Sequence, residues 1–569
     1  MLTGLGAGCG PGRHPADATP ADATPDAEAD AETEADADAA ADAAADAAAD
    51  GGAGCLPAGL EICGNGADDD CDGAADPAVP CAGLGTFVSG TTGDDANPGT
   101  QALPVQTIAA GTANALAIAA AAAAAGGVAP PPDVTVRVAY GYYAEDVTLH
   151  EGVSLLGGFE PAAWARDPAL YGSTIAGQDD DGLTVPDTVT RATRLDGFYV
   201  LGWSGGPGPI AAAATVSGGT PALTGVVFTG PNVGDGESVG LRVVGPSNDP
   251  AGVLVAGCVV EGGDAVLAST GLWLDGAGPV AEVDGAEIGA GDGVYSWGVR
   301  APDAGPGTVV RGSVVGAGDS QGGWSRGIEA GGTIALDANV VDGGYGEAPA
   351  DWGGGIFLVG AAAVVTNNVA DGGTGLMTAG CAVLDGGSGA PAPLVELNAN
   401  YCGGGGAFAL ATLAGESAAL LLRGTAADVT ATAVRNDVLA AGRNLDRYGV
   451  LEASGGAAGG FEADPLFLES NDFWFAPLAG APNDVLYLDE DATPVATIAA
   501  VDALADTTAA GNFAADPLLV AEGPGGDFHL LAGSPCIDAG TAAGAPPLDF
   551  DGDARPLGAG VDVGPDEAF

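Results

Sequence analysis

Lysine is absent from this 569-residue chain, and fourteen arginines face 76 acidic residues for a formal net charge of −62. A surface so acidic repels nucleic acid and anionic membranes, and both drop out as partners. Histidine is nearly as scarce. His14 falls in an acidic stretch, His150 in the first third of the chain and His529 near its end, and they suggest no catalytic triad. No His-Glu-x-x-His or phosphate loop occurs, so zinc-protease and nucleotide chemistries have no motif here. Apolar runs are short as well. Residues 112–125, with Thr112 as N-cap and Gly126-Gly127 as stop, form the one strong helix candidate, and they are too few to span a bilayer.

What the chain has in excess is glycine, 100 residues of it, and much of that glycine recurs in phase. One phrase is glycine, apolar, any residue, apolar: Gly240-Leu-Arg-Val, Gly271-Leu-Trp-Leu, Gly298-Val-Arg-Ala, Gly327-Ile-Glu-Ala, Gly355-Ile-Phe-Leu, Gly380-Cys-Ala-Val and Gly406-Ala-Phe-Ala. A second phrase ends in a Gly-rich turn, as in Leu336-Asp-Ala-Asn-Val-Val-Asp-Gly-Gly and Val365-Thr-Asn-Asn-Val-Ala-Asp-Gly-Gly. Alternating apolar positions over three to five residues have the period of a half-buried strand. A fixed period of this length means stacked supersecondary units. The period is too long for a leucine-rich horseshoe, and each unit lacks the four strands of a propeller blade. The expected fold is therefore all-β, a right-handed parallel β-helix solenoid whose successive coils stack about 4.8 Å apart.

Columns through the repeat separate inside from outside. Leu241, Leu272, Val299, Ile328, Ile356, Cys381 and Ala407 form one inward column, and Val243, Leu274, Ala301, Ala330, Leu358, Val383 and Ala409 form another. Between them lies an outward column of Arg242, Trp273, Arg300, Glu329, Phe357, Ala382 and Phe408. Its planar groups, Arg242, Trp273, Arg300, Phe357 and Phe408, are the candidate ligand-binding residues, because exposed rings and guanidinium groups stack on sugars or hold a partner. The alternative is that they rest under the loops between coils. Trp203, Trp297, Trp324 and Trp352 fall in Gly-rich loops that flank the same face. Asn339, Asn368 and Asn400 share a column with Cys258, Ala286 and Ser313, and stacked asparagines hydrogen-bond along a β-stack as a ladder.

Nine cysteines allow four bridges with one thiol left over. Cys55, Cys63, Cys71 and Cys81 crowd together, Cys258, Cys381, Cys402 and Cys536 are dispersed, and Cys9 stands alone. Pairing on this scale suits an oxidising, exported setting. Residues 10–54 carry an almost purely Ala, Asp, Glu, Thr and Pro composition, expected to be a disordered acidic tether. Near the C-terminus Gly459-Gly-Phe-Glu-Ala-Asp-Pro-Leu466 matches Gly511-Asn-Phe-Ala-Ala-Asp-Pro-Leu518.

Several passages resemble known families. Met1-Leu-Thr-Gly-Leu-Gly-Ala-Gly-Cys9 resembles the end of a bacterial lipoprotein signal (residues 1–9), which implies lipidation of Cys9 and a membrane contact through that anchor alone. Its leucine lies four residues before the cysteine rather than three, and a basic n-region is missing. A stray cysteine and another export route remain the alternatives. Residues 87–108, Phe87-Val-Ser-Gly-Thr-Thr-Gly-Asp-Asp-Ala-Asn-Pro-Gly-Thr onward, are similar to the opening of bacterial right-handed β-helix surface proteins, ahead of a capping helix. Val136-Arg-Val-Ala-Tyr-Gly-Tyr-Tyr and Gly152-Val-Ser-Leu-Leu-Gly-Gly-Phe159 resemble that family's first coil. Asp549-Phe-Asp-Gly-Asp-Ala-Arg-Pro556 and Val561-Asp-Val-Gly564 resemble its closing phrase. The resemblance covers residues 83–569 and implies an exported, often surface-anchored protein without implying a particular activity.

Residues 55–82 hold Glu61-Ile-Cys-Gly-Asn-Gly-Ala-Asp-Asp-Asp-Cys-Asp-Gly-Ala-Ala-Asp76, which resembles a metal-binding motif of bacterial surface proteins. Asp68, Asp70, Asp72 and Asp76 fall at positions 1, 3, 5 and 9 of an EF-hand-type loop, the pattern of a Ca²⁺ site, although valine stands where the closing glutamate belongs. Cys55, Cys63, Cys71 and Cys81 are the disulfide candidates there. A metal-free disulfide knot and a thiolate site are the other readings.

Pectin-lyase-type enzymes share the β-helix, so catalysis has to be sought. A lyase needs a base plus a cation for the substrate carboxylate, and Arg242, Arg300 and Asp275 are the nearest set. A hydrolase needs two carboxylates across a cleft, which 76 acids supply by chance. The expectation is a monomeric, exported cell-surface or secreted protein that recognises a polysaccharide or surface protein. A structural spacer, or less readily a polysaccharide lyase or hydrolase, is the alternative.

Overall fold

The computed structural model describes residues 85–568, apart from 125–133, 179–180, 206–207, 347–351, 385–393, 407–414, 425–430, 453–463, 479–482, 490–492 and 522–525. The expectations for Cys9, the acidic stretch, Cys55, Cys63, Cys71, Cys81, Asp68, Asp70, Asp72 and Asp76 lie outside the described residues.

The chain is a parallel β-helix. Each coil contributes a long strand to a first ladder (Glu237–Val244, Ala268–Asp275 and onward), a short strand to a second ladder (Val253–Ala256, Ala281–Asp284 and onward) and a three-residue strand to a third ladder (Val259–Glu261, Glu287–Gly289 and onward). In the coils Gly293–Arg311, Ser320–Asp337 and Trp352–Thr366 the first two merge into continuous strands, which joins their ladders into one 24-stranded sheet. The third ladder is a separate sheet of twelve strands, from Gly141–Tyr143 to Asp472–Trp474. Successive coils pair in parallel and in register, as in Leu241 with Leu272 and Leu272 with Val299.

The recurring glycine has a steric cause. A Cβ on Gly240 would sit 2.7 Å from the Glu261 carbonyl oxygen, and one on Gly271 2.6 Å from that of Gly289. The third-ladder strand passes so close beneath this point that only hydrogen fits. The two apolar columns that follow point into the core, with Leu241, Leu272, Val299, Ile328 and Ile356 all fully buried.

The register corrects the expectation for the seventh coil. Met377–Leu384 pairs with Glu416–Arg423, so that Cys381 meets Leu420, Ala382 meets Leu421 and Val383 meets Leu422. The inward positions assigned to Ala407 and Ala409 belong to Leu420 and Leu422, and the outward position assigned to Phe408 belongs to Leu421. Phe408 itself lies outside the described residues. Alanine, Ala419, replaces the usual glycine in that strand, which removes the marker from which the repeat was read.

The asparagine column is a buried ladder. Asn339 donates its N–H and Nδ2 to Asn368 Oδ1 at 3.0 and 2.9 Å, and Asn368 donates likewise to Asn400 at 2.9 and 3.1 Å. It continues through Asp437, Asn471 and Asn512, three members the repeat did not reveal. Just before each ladder residue the backbone turns through one left-handed position, a glycine in early coils and Ala338, Asn367, Ala399, Asn436 and Ser470 in later ones.

The helix α1 (Ile108–Ala124) begins four residues earlier than Thr112, which is an interior residue. Its N-terminus is satisfied instead by the Glu145 carboxylate, which accepts from the N–H groups of Ile108 and Ala109 at 2.9 Å, and by Thr107 Oγ1, which accepts from Ala110. The helix packs Ile108 and Ala115 into the core beside Val88 and Val136, capping the first coil as the resemblance implies. At the far end, residues beyond Gly511 run back over the outer face of the third ladder. Leu519, Cys536 and Val563 there cover Val369, Tyr401 and Val438.

Of the four dispersed cysteines, Cys381 and Cys402 form a disulfide, whereas Cys258 and Cys536 are buried free thiols. Cys258 occupies the start of the asparagine column, where its thiol donates weakly to the Leu223 carbonyl at 3.4 Å.

Candidate functional site

Arg242, Trp273, Arg300, Glu329 and Phe357 stack in one outward column, each hydrogen-bonded in register to the next. The column is not an open ladder, however. Trp273 is only 8% exposed and Phe357 only 2%, since neighbouring outward columns fold over them. Trp273 packs on Ala212 and Val239, and Phe357 on Ala379, Ala382 and Leu421. The expectation of a solvent-facing column fails at these two positions.

The accessible rings belong to a column three residues before the repeat glycine. It runs Glu237, Ala268, Tyr295, Trp324, Trp352, Met377, Glu416, Asp446 and Asn483, one residue per coil. Tyr295 and Trp324 are half-buried with ring centroids 4.4 Å apart, and Trp352 is exposed. Trp324 and Trp352, expected in loops, lie in the strands Ser320–Asp337 and Trp352–Thr366. Their signal was present all the same, because Tyr295, Trp324 and Trp352 stand at one fixed offset from Gly298, Gly327 and Gly355.

Arginines lock the rings from beneath. The Arg300 guanidinium lies 4.5 Å from the Trp273 ring centroid and 4.3 Å from that of Trp297. Arg326 lies similarly between Trp324 at 5.0 Å and Phe357 at 4.3 Å. Each cation also has a carboxylate: Arg242 pairs with Asp275, Arg300 with Glu237 at 3.4 Å and Arg326 with Glu329 at 2.5 Å. Glu329 accepts from Trp297 Nε1 at 2.7 Å as well. Cation–π contact and ion pairing together hold the planes of these groups fixed. Of the stripe rings, Trp324 is held by Arg326 and packs on Tyr295, and Trp352 continues the row at the surface, with no uncompensated arginine among Arg242, Arg300 and Arg326.

Two other clusters carry titratable groups. Asp371 lines a cavity of about 50 Å³ with Tyr401, Arg443 and Trp474. Burial pushes its carboxyl up to about 6, and neighbouring Asp342 adds to the rise. His529 lies between Asp527 at 2.5 Å and Asp551 at 2.8 Å, with Asp566 close by, the one such His–carboxylate group among the described residues. The hydrogen bond to Asp527 raises the imidazole's pKa, and the ring bridges Asp527 and Asp551 within the closing segment. Among the described residues no helix is long and apolar enough to cross a membrane.

The geometry defines a β-helix protein with an aromatic outer stripe. No family model matches the chain. No curated protein matches it either. Among solved structures it is similar to the pectate lyase Pel9A, at 14% identity over 86% of this chain and 98% of that one, with a TM-score of 0.37. It is similar also to the catalytic unit of a GH87 alpha-1,3-glucanase from Streptomyces thermodiastaticus (12% identity, 71% and 67% coverage, TM-score 0.25). A third is a GH136 lacto-N-biosidase from Eubacterium ramulus (12% identity, 72% and 67% coverage, TM-score 0.24). At these scores the likenesses carry no argument about chemistry.

Proposed function

We propose that this is an exported protein that recognises carbohydrate through the stripe of Tyr295, Trp324 and Trp352. The observation that carries the reading is the fixed ring stripe itself, partly open to solvent and repeated once per coil. Partly exposed aromatic rings set in a row offer an apolar surface to the C–H groups of a sugar. Export is supported by the Cys381–Cys402 disulfide, since reducing compartments do not maintain such bonds. Thiol alkylation of either cysteine in freshly isolated protein would remove that part of the reading.

The test of recognition is affinity electrophoresis of the intact chain in gels containing soluble polysaccharides. Trp352→Ala removes an exposed ring with little effect on packing and is expected to weaken retardation about tenfold, or ~1.4 kcal/mol. Trp352→Phe keeps a stacking surface and should restore most of it. A parent protein retarded by no polysaccharide leaves a structural spacer as the function.

A further inference from the structure

We infer that the ligand of this stripe is an uncharged polysaccharide laid along the solenoid axis, an inference that rests on the carbohydrate reading above. Three observations carry it. The first is charge. Arg242, Arg300 and Arg326 are the cations beside the rings, and Asp275, Glu237 and Glu329 neutralise them one for one. An acidic sugar that bound one of these guanidinium groups would share it with the carboxylate already there and bring two anions together, which adds a repulsion.

The second is the order of residues along the stripe. The aromatic centre is followed in the same column by two carboxylates, Glu416 and Asp446. Glu416 is exposed. These groups repel a uronate or sulfated chain as it extends past the rings, while they accept hydrogen bonds from the hydroxyls of a neutral one. The net charge of −62 extends the repulsion to longer range.

The third is spacing. Tyr295, Trp324, Trp352 and Met377 advance by one coil each, about 4.8 Å per step, so the apolar part of the stripe is roughly 14 Å long. That span suits a run of about three sugar units on an extended chain lying parallel to the axis.

Isothermal titration calorimetry with the intact chain tests the inference, using neutral glucan and mannan against polygalacturonate and alginate at low and high salt. A neutral polymer is expected to bind, to lose about tenfold in affinity in Trp324→Ala and in Trp352→Ala, and to change less than about twofold with salt. Circular dichroism of each variant separates loss of a ring from loss of fold. Should a uronate bind more tightly than any neutral polymer, with salt weakening it, the neutral-ligand inference is overturned and the carbohydrate reading survives. If none of the four polymers binds, both fall.

Discussion

Asp437 is the one acidic member of the asparagine ladder. Its Oδ1 accepts from the Asn400 N–H and Nδ2 at 2.7 and 2.9 Å, as an asparagine would. Its buried Oδ2 has no hydrogen-bond partner among the described residues. In the equivalent place Asn400 Nδ2 donates to the Val365 carbonyl and Asn471 Nδ2 to the Val434 carbonyl. An ionised carboxylate offers a lone pair where the ladder needs a donor, and burial pushes the Asp437 carboxyl up to about 7 from an ordinary 3.8. Between those values the folded chain holds a proton that the unfolded chain has released. The stabilisation is therefore complete below about pH 4 and is lost as pH rises through 7. Asp437→Asn supplies the missing donor. We expect a higher Tm than the parent's at pH 8, with the gap closing toward pH 4 and an upper bound near 4 kcal/mol. Asp472, also pushed up to about 7, titrates in both proteins and cancels in the difference. Equal pH profiles for the two proteins would show that Asp437 is not strained.

For a single coil, stability rests on the ladder as much as on apolar packing. Asn400→Ala removes the acceptor of the buried Asn368 N–H and the donor to Val365, at roughly 1–3 kcal/mol for each orphaned group. A loss of about 3 kcal/mol in urea unfolding is expected, against a change within ~0.5 kcal/mol for Asn483→Ala, whose side chain is exposed. The same scale shows how far the repeat could be read. Gly240 through Gly380 were legible because each coil brings a third-ladder strand against the same atom, a local constraint that recurs in the sequence. The next coil was not, because alanine fills that place at Ala419 and a longer connection breaks the period. The ladder was legible to Asn400 and not beyond, since Asp437 changes the residue type while keeping the geometry.

Across the whole molecule, the C-terminal segment converts an open sheet face into a closed one. Asn436 donates Nδ2 to the Thr541 carbonyl at 2.9 Å and accepts from the Thr541 N–H at 2.6 Å, and Asn367 Nδ2 donates to the Leu548 carbonyl at 3.0 Å. The Arg555–Glu567 pair, almost wholly buried, ties the segment to itself. Val563→Asp places an unpaired charge beneath it and should free it from Val369, Tyr401 and Val438. Limited proteolysis between residues 511 and 568 is expected to speed up at least tenfold while the coils stay resistant, and unchanged cleavage would show that the segment does not depend on this contact.

The amino-acid order alone was enough for the parallel β-helix, its inward columns and the start of its asparagine ladder. Each of these answers to neighbours at a fixed sequence distance, and a period records them. Which outward side chains meet solvent depended on lateral packing between columns. Trp273 and Phe357 disappear beneath it, while Tyr295, Trp324 and Trp352 emerge as a stripe. The Cys381–Cys402 bond and the return of the C-terminus likewise depend on connections of irregular length, and no repeat distance encodes what those connections bring together.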